Sequence, residues 1–256
     1  MKRRTTTLLL AVCLAAGLAV GETPPDLDDL LAAAVEANTL DRSAWTGYSF
    51  KRHVLRQKLD TAGEVEWRQE MLFQNTPTAG GFDEILISMD GQPPSDSDVK
   101  KHRRAGRFQE RYESSTELAL DNPIGPDLEL LPLLLDQEHR YVGEESVDGT
   151  ACHRIAFSAR KSPGADAPVP ERLKHAMEGS MCISSDTSRL MAAELQTARP
   201  IAVGRKKIDQ MRIVFAARPV NEIYLPSRIE IVSYVAIPGK KFRSHNVYRF
   251  TDFRKP

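Results

Sequence analysis

Residues 48–91 read YSFKRHVLRQKLDTAGEVEWRQEMLFQNTPTAGGFDEILISMDG, and the spacing of their apolar side chains decides the fold class. Tyr48, Phe50 and Val54 lie at even intervals. So do Val65, Trp67, Met71 and Phe73 after the turn-forming Asp60-Thr61-Ala62-Gly63. A third run, Ile85, Ile87 and Met89, closes at Asp90-Gly91. A period of two places alternate side chains on opposite faces of a strand, so the stretch reads as an antiparallel meander with one apolar face.

The alternation returns after residue 140 and persists to the end. Tyr141-Val142-Gly143 leads into the turn Val147-Asp148-Gly149, then a strand at 151–159. Strands at 179–184 and 189–197 flank Ser185-Asp186-Thr187-Ser188, and further runs hold Met211, Ile213 and Phe215, then Ile229, Ile231 and Val235, then Tyr248 and Phe250. Many short strands at regular spacing indicate a mainly β fold with some helix: an open antiparallel barrel or strongly curved sheet. Before the meander, residues 25–40 have helical spacing. Asp26, Asp28 and Asp29 load the first turn, and Leu27, Leu30, Leu31 and Ala34 form a stripe.

Residues 92–138 interrupt the β pattern as a helical insertion. Pro93-Pro94-Ser95 opens a polar helix reaching about Tyr112, with Ser95 and Asp98 at capping-box spacing. Its basic run Lys100, Lys101, His102, Arg103 and Arg104 is read as a solvated face offset by Glu110 and Glu113, with a nucleic-acid or anionic-lipid patch as the alternative. Then come Leu128, Leu130, Leu131, Leu133, Leu134 and Leu135, interrupted by Pro132. A segment apolar nearly all round must be buried against the sheet or be able to leave it. It is therefore the candidate hydrophobic cover of a ligand site, and the alternative is that it simply completes the core. The candidate apolar face beneath it comprises Trp67, Met71, Phe73, Ile85 and Ile87.

The N-terminus supplies the compartment. Lys2, Arg3 and Arg4 precede an apolar run from Leu8 to Val20, followed by small residues at Ala19-Val20-Gly21. That run is too short to span a bilayer and has the pattern of a secretory signal peptide, with cleavage expected before Glu22. A retained anchor and lipidation at Cys13 are the alternatives. Residues 1–21 are thus the expected signal, 22–41 an N-terminal helix, and 42–256 a single β domain in the periplasm. Without its leader the chain loses three cations and no acid, leaving a formal charge of about −3, against a general nucleic-acid binder. No further run is long enough to cross a membrane.

Two cysteines, Cys152 and Cys182, would remain after export. Alternation puts Ile155 and Phe157 on the core face with His153, and Met181 and Ile183 on the core face of their own strand. Both sulfurs then point the other way and could meet if the strands are neighbours, while two free thiols remain the alternative. The six histidines show no His-x-x-x-His pair, and there is no Cys-x-x-Cys, no nucleophile elbow and no phosphate or dinucleotide loop. The acid pairs Asp28/Asp29 and Glu144/Glu145 sit at a helix start and a hairpin flank, where solvation explains them. No metal, cofactor or catalytic residue is expected, and the chain is read as a non-enzyme.

Val147-Asp148-Gly149 with Cys152-His153-Arg154-Ile155-Ala156-Phe157 resembles the DG…C-x-R-I-x-F hairpin of bacterial outer-membrane lipoprotein-sorting proteins. Gly179 to Leu190 resembles their G-x-x-x-I-D-x-x-T-G-x-L hairpin, with Ser184 in place of the usual Asp and Ser188 in place of the usual Gly. Tyr224-Leu225-Pro226-Ser227-Arg228 and Tyr248-Arg249-Phe250-Thr251-Asp252-Phe253 are similar to the closing W-L-P-x-R and Y-x-D-F segments. Over about residues 42–256 the resemblance implies an open barrel with helices covering an acyl-chain site. The implied function is a periplasmic carrier whose partner is a hydrophobic ligand or lipoprotein acyl chain. An envelope protein-interaction or stress-sensor module, partnered by another envelope protein, is the alternative.

Overall fold

Ten strands share one unbroken row of side chains: Met89, Met71, Val54, Tyr248, Ile229, Phe215, Ala193, Met181, Ile155 and Tyr141. All ten stand on the same face, and all but the two at the ends are buried. In the computed structural model, which describes residues 25–79, 81–100, 137–164, 166–167, 169–203 and 206–255, this row is the spine of a single antiparallel sheet.

The strands are β1 (Ser49–Leu59), β2 (Val65–Thr78), β3 (Gly81–Met89), β4 (Glu138–Val147), β5 (Thr150–Ser158), β6 (Met177–Ser184) and β7 (Leu190–Thr197). They continue with β8 (Ile201–Val203), β9 (Lys206–Val220), β10 (Ile223–Ile237) and β11 (Lys240–Arg254). Their spatial order is β3-β2-β1-β11-β10-β9-β7-β6-β5-β4, with β8 paired to β9 beside that path. The sheet is open, because β3 and β4 end it on opposite sides. Residues 90–137 therefore join one edge to the other.

Two helices are described at length: α1 (Leu27–Trp45) and α2 (Val169–Ala176). The Asp26 carboxylate caps α1 by accepting from the amides of Asp28 and Asp29 at 3.0 and 3.3 Å. The helix runs five residues past the expected Leu40, and that extra length takes Asp41 and Trp45 into the interior. Leu31, Ala34 and Trp45 join the main core on the sheet's apolar face, where α1 meets β10 and β4 and α2 meets β8. Ser95 and Asp98 cap a helical turn at 96–100 reciprocally: Asp98 N donates to Ser95 Oγ at 3.2 Å, and Ser95 N donates to Asp98 Oδ2 at 3.1 Å.

Two local details explain the hairpin motif around β6 and β7. Ser188 has φ +54°, the left-handed conformation for which glycine is the usual residue. Gly179 has φ +154°, and a Cβ there would stand 2.0 Å from the carbonyl oxygen of Glu194, so glycine is required by contact as well as by dihedral.

Candidate ligand-binding face

The core face is apolar along its spine but not throughout. Arg52 stands on β1 between the buried Phe50 and Val54, only 1% exposed. Its Nη2 pairs with the Glu84 carboxylate on β3, and its guanidinium carbon lies 4.9 Å from the centre of the Phe73 ring. Burial pulls the guanidinium below its ordinary pKa, while the Glu84 carboxylate pulls it back up. An arginine in this setting stays charged.

Around it the ladder places polar and aromatic groups in adjacent rows. Phe50 faces Asn75, which faces Glu84; Arg52 faces Phe73, which faces Leu86. Trp45 packs over Phe50 with 5.7 Å between ring centres, and over Phe250 at 6.2 Å. Within this group, Arg52 Nε and Nη1, Asn75 Nδ2 and Trp45 Nε1 are buried and have no hydrogen-bond partner among the described residues. All four are N–H donors. A buried donor left unpaired costs about 1–3 kcal/mol, so four of one kind in one quarter of the core call for an acceptor.

The expected face divides on this geometry. Met71 and Phe73 are buried on the core side, as the alternation requires. Trp67 shares their face by register but lies beyond the edge of the core, 47% exposed. Ile85 and Ile87 do not line the core; they are 51% and 44% exposed, and Leu86 is buried instead. The reason is a register shift between Leu72/Ser88 and Phe73/Leu86, which inserts one extra residue, Ile87, into β3. Met89 and Leu86 therefore face inward together, and Ile85 turns out beside Gln74. The leucines at 128, 130, 131, 133, 134 and 135 lie outside the described residues.

Arg52 and Asn75 were not legible as site residues from the sequence. The signal was present in the alternation itself: a charged residue at the even position between Phe50 and Val54. His153, expected to face the core, is half-buried, with the Tyr141 hydroxyl 3.4 Å and a Glu144 carboxylate oxygen 3.6 Å from its Nδ1.

On the opposite face Cys152 and Cys182 form a disulfide between the neighbouring strands β5 and β6, with 5.6 Å between Cα atoms. Met191, Val147, Ala192 and Tyr224 bury the bridge. One Glu145 oxygen lies 3.2 Å from Cys182 Sγ and the other accepts from Arg154 at 2.7 Å. The two sulfurs are joined to each other and offer no thiolate to a metal.

No family model matches the sequence, and no curated protein matches it. Solved structures do. A DUF1329 family protein from Desulfovibrio piger is 13% identical, covering 89% of this chain and 92% of its own, with a TM-score of 0.40. A domain assigned to outer membrane lipoprotein sorting from Vibrio parahaemolyticus is 10% identical, covering 88% and 92%, with a TM-score of 0.40. The Mycobacterium tuberculosis lipoprotein LppX is a further similar structure, at 9% identity, 90% and 98% coverage and a TM-score of 0.31. Among the described residues, no helix is long and apolar enough to cross a membrane.

Proposed function

We propose that this chain is an exported carrier that binds an acyl group against the core face of β1, β2 and β3. The observation that carries this reading is the four buried N–H donors of Arg52, Asn75 and Trp45 that no described residue satisfies, set beside the Glu84 carboxylate in a largely apolar core face. Ligand sites for hydrophobic molecules are built this way, from apolar walls with a few placed polar groups. The charge of Arg52 is already balanced by Glu84. A second carboxylate would bring net negative charge into the interior, whereas the carbonyl of an acyl ester or amide accepts hydrogen bonds without adding charge. The buried disulfide supports the export reading, because such bridges persist in oxidising compartments.

The test uses a fluorescent acyl methyl ester and an alkane of equal length. The expected result is preferential binding of the ester, with Asn75→Leu and Arg52→Met each reducing that preference. Equal binding of ester and alkane by the unaltered protein would remove the role of the donors, and binding of neither would remove the carrier reading.

A second reading, an envelope protein-interaction module, draws on β3. This strand ends the sheet and carries the outward Ile85 and Ile87, and an exposed apolar edge strand is a site for adding a partner's strand. Crosslinking in the envelope to one discrete protein, without lipid, favours it.

A further inference from the structure

One end of the sheet carries a different chemistry from the core. The β1–β2 and β10–β11 turns lie there, and the pairing register lines up Val65, Leu59, Arg243, Tyr234 and Gln210 in a row on the face opposite the core. Val65 and Tyr234 are 51% and 43% exposed, and Trp67 on the other face of β2 is nearly level with them. Beside this row opens a cleft of about 500 Å³, walled by Tyr234, Val235 and Phe242, with Lys241, Arg243, Asp60 and Asp209 as its charged lining.

Among the described side chains at this end, Lys58, Lys207, Lys240, Lys241 and Arg243 stand against Asp60, Glu64, Glu66 and Asp209, an excess of one cation. The Asp60 carboxylate is occupied by the amides of Ala62 and Glu64, at 2.8 and 2.9 Å. Asp209 pairs with Lys207 at 2.9 Å, and Glu66 pairs with both Lys58 and Lys240. Among the described residues, Lys241 and Arg243 have no carboxylate partner; Arg243 instead stacks on Tyr234, 5.5 Å from the ring centre. Two unspent cations thus border exposed aromatic and aliphatic side chains. Tyrosine and tryptophan with lysine and arginine are the residues that settle at a bilayer's headgroup level, where the anionic phosphate meets the first methylenes.

We infer that this end of the sheet docks on an anionic phospholipid surface, with Lys241 and Arg243 on the phosphates and Tyr234 and Val65 at the acyl boundary. The docking surface lies outside the acyl-binding face and does not depend on it. A carrier that exchanges acyl cargo needs such a contact, but the charge pattern stands without that role.

Flotation of the purified chain with vesicles tests it. Equimolar phosphatidylglycerol and phosphatidylcholine vesicles are expected to carry the protein at low salt, pure phosphatidylcholine vesicles are not, and added sodium chloride should release it. Each basic residue near an anionic surface adds about a fivefold preference, so Lys241→Glu with Arg243→Glu should lower partitioning at least tenfold. Tyr234→Ser should weaken it without changing its salt dependence. Unchanged flotation of the charge-reversed protein would overturn the inference. So would binding of soluble glycerol 1-phosphate as tight as binding to vesicles, or tighter binding to an acidic peptide. The acyl-ester assay, run without vesicles on the same variants, reports the carrier reading separately: loss of flotation with intact ester binding is the expected pairing.

Discussion

The Nε–H of Arg189, in the turn before β7, straddles the carboxylate of Asp41 near the end of α1, at 3.0 and 2.8 Å from its two oxygens. The backbone amide of Tyr224 on β10 donates to the same carboxylate at 3.0 Å. One buried acid thus ties the helix to two distant parts of the sheet. Removing one partner of a buried pair leaves a desolvated charge behind, so Arg189→Met should cost about 3 kcal/mol. Asp41→Asn keeps an acceptor for Tyr224 and should cost less. Chemical denaturation of both variants checks the order.

The same carboxyl has a signed pH signature. Burial raises its pKa above the ordinary 3.8, outweighing the lowering by Tyr224 and Arg189. A raised folded-state value means its stabilising contribution is complete below about 3.8 and is lost as pH rises through the folded value. Glu230 runs the other way. Burial pushes its carboxyl up, but the hydrogen bond with His245 and the nearby Arg228 together pull it below 4.5. Its contribution is present above about 4.5 and is lost as pH falls through the depressed value. Melting temperatures between pH 3 and 6 should therefore show the unaltered protein gaining on Asp41→Asn, and losing on Glu230→Gln, as acid is added.

The Cys152–Cys182 bridge closes a separation of 30 residues. Loop-closure entropy sets its contribution at about 3.5 kcal/mol, so the Cys152→Ser, Cys182→Ser double variant should unfold earlier by that amount. Alkylation of the unfolded, unreduced protein should label neither cysteine. Two labelled thiols would show the bridge unformed.

The sequence carried the architecture further than the site. Alternation was enough to predict a mainly antiparallel β fold, because a period of two survives any arrangement of neighbours; for the same reason it left open barrel and curved sheet undivided, and the strand order decides for an open sheet. It also placed both cysteines opposite the core, since Met181 and Ile183 fixed the face of β6. Two kinds of information were not in that pattern. The first is a bulge, since one extra residue in β3 reverses the faces of Ile85 and Leu86 without changing composition. The second is cross-strand company: Arg52 reads as an ordinary basic residue until the register brings Glu84 and Phe73 to it from β3 and β2. Gly179 lies between these cases. The sequence shows a glycine opening a hairpin motif, but only the strand pairing shows that the Glu194 carbonyl takes the place of a side chain.

The bulge in β3 makes the sharpest contrast between neighbours. Leu86 is 7% exposed and opposes Phe73 on the core face, whereas Ile85, next to it, is 51% exposed beside Gln74. Truncating a buried leucine removes its transfer energy and leaves a cavity, so Leu86→Ala should cost about 2–4 kcal/mol. Ile85→Thr exchanges one β-branched residue for another on a wet face and should stay within about 0.5 kcal/mol. Simple alternation with Ile85 and Ile87 inward predicts the reverse order. Denaturant midpoints of the two single variants decide between the registers: a larger loss for Ile85→Thr would mean that β3 pairs with β2 without the extra residue.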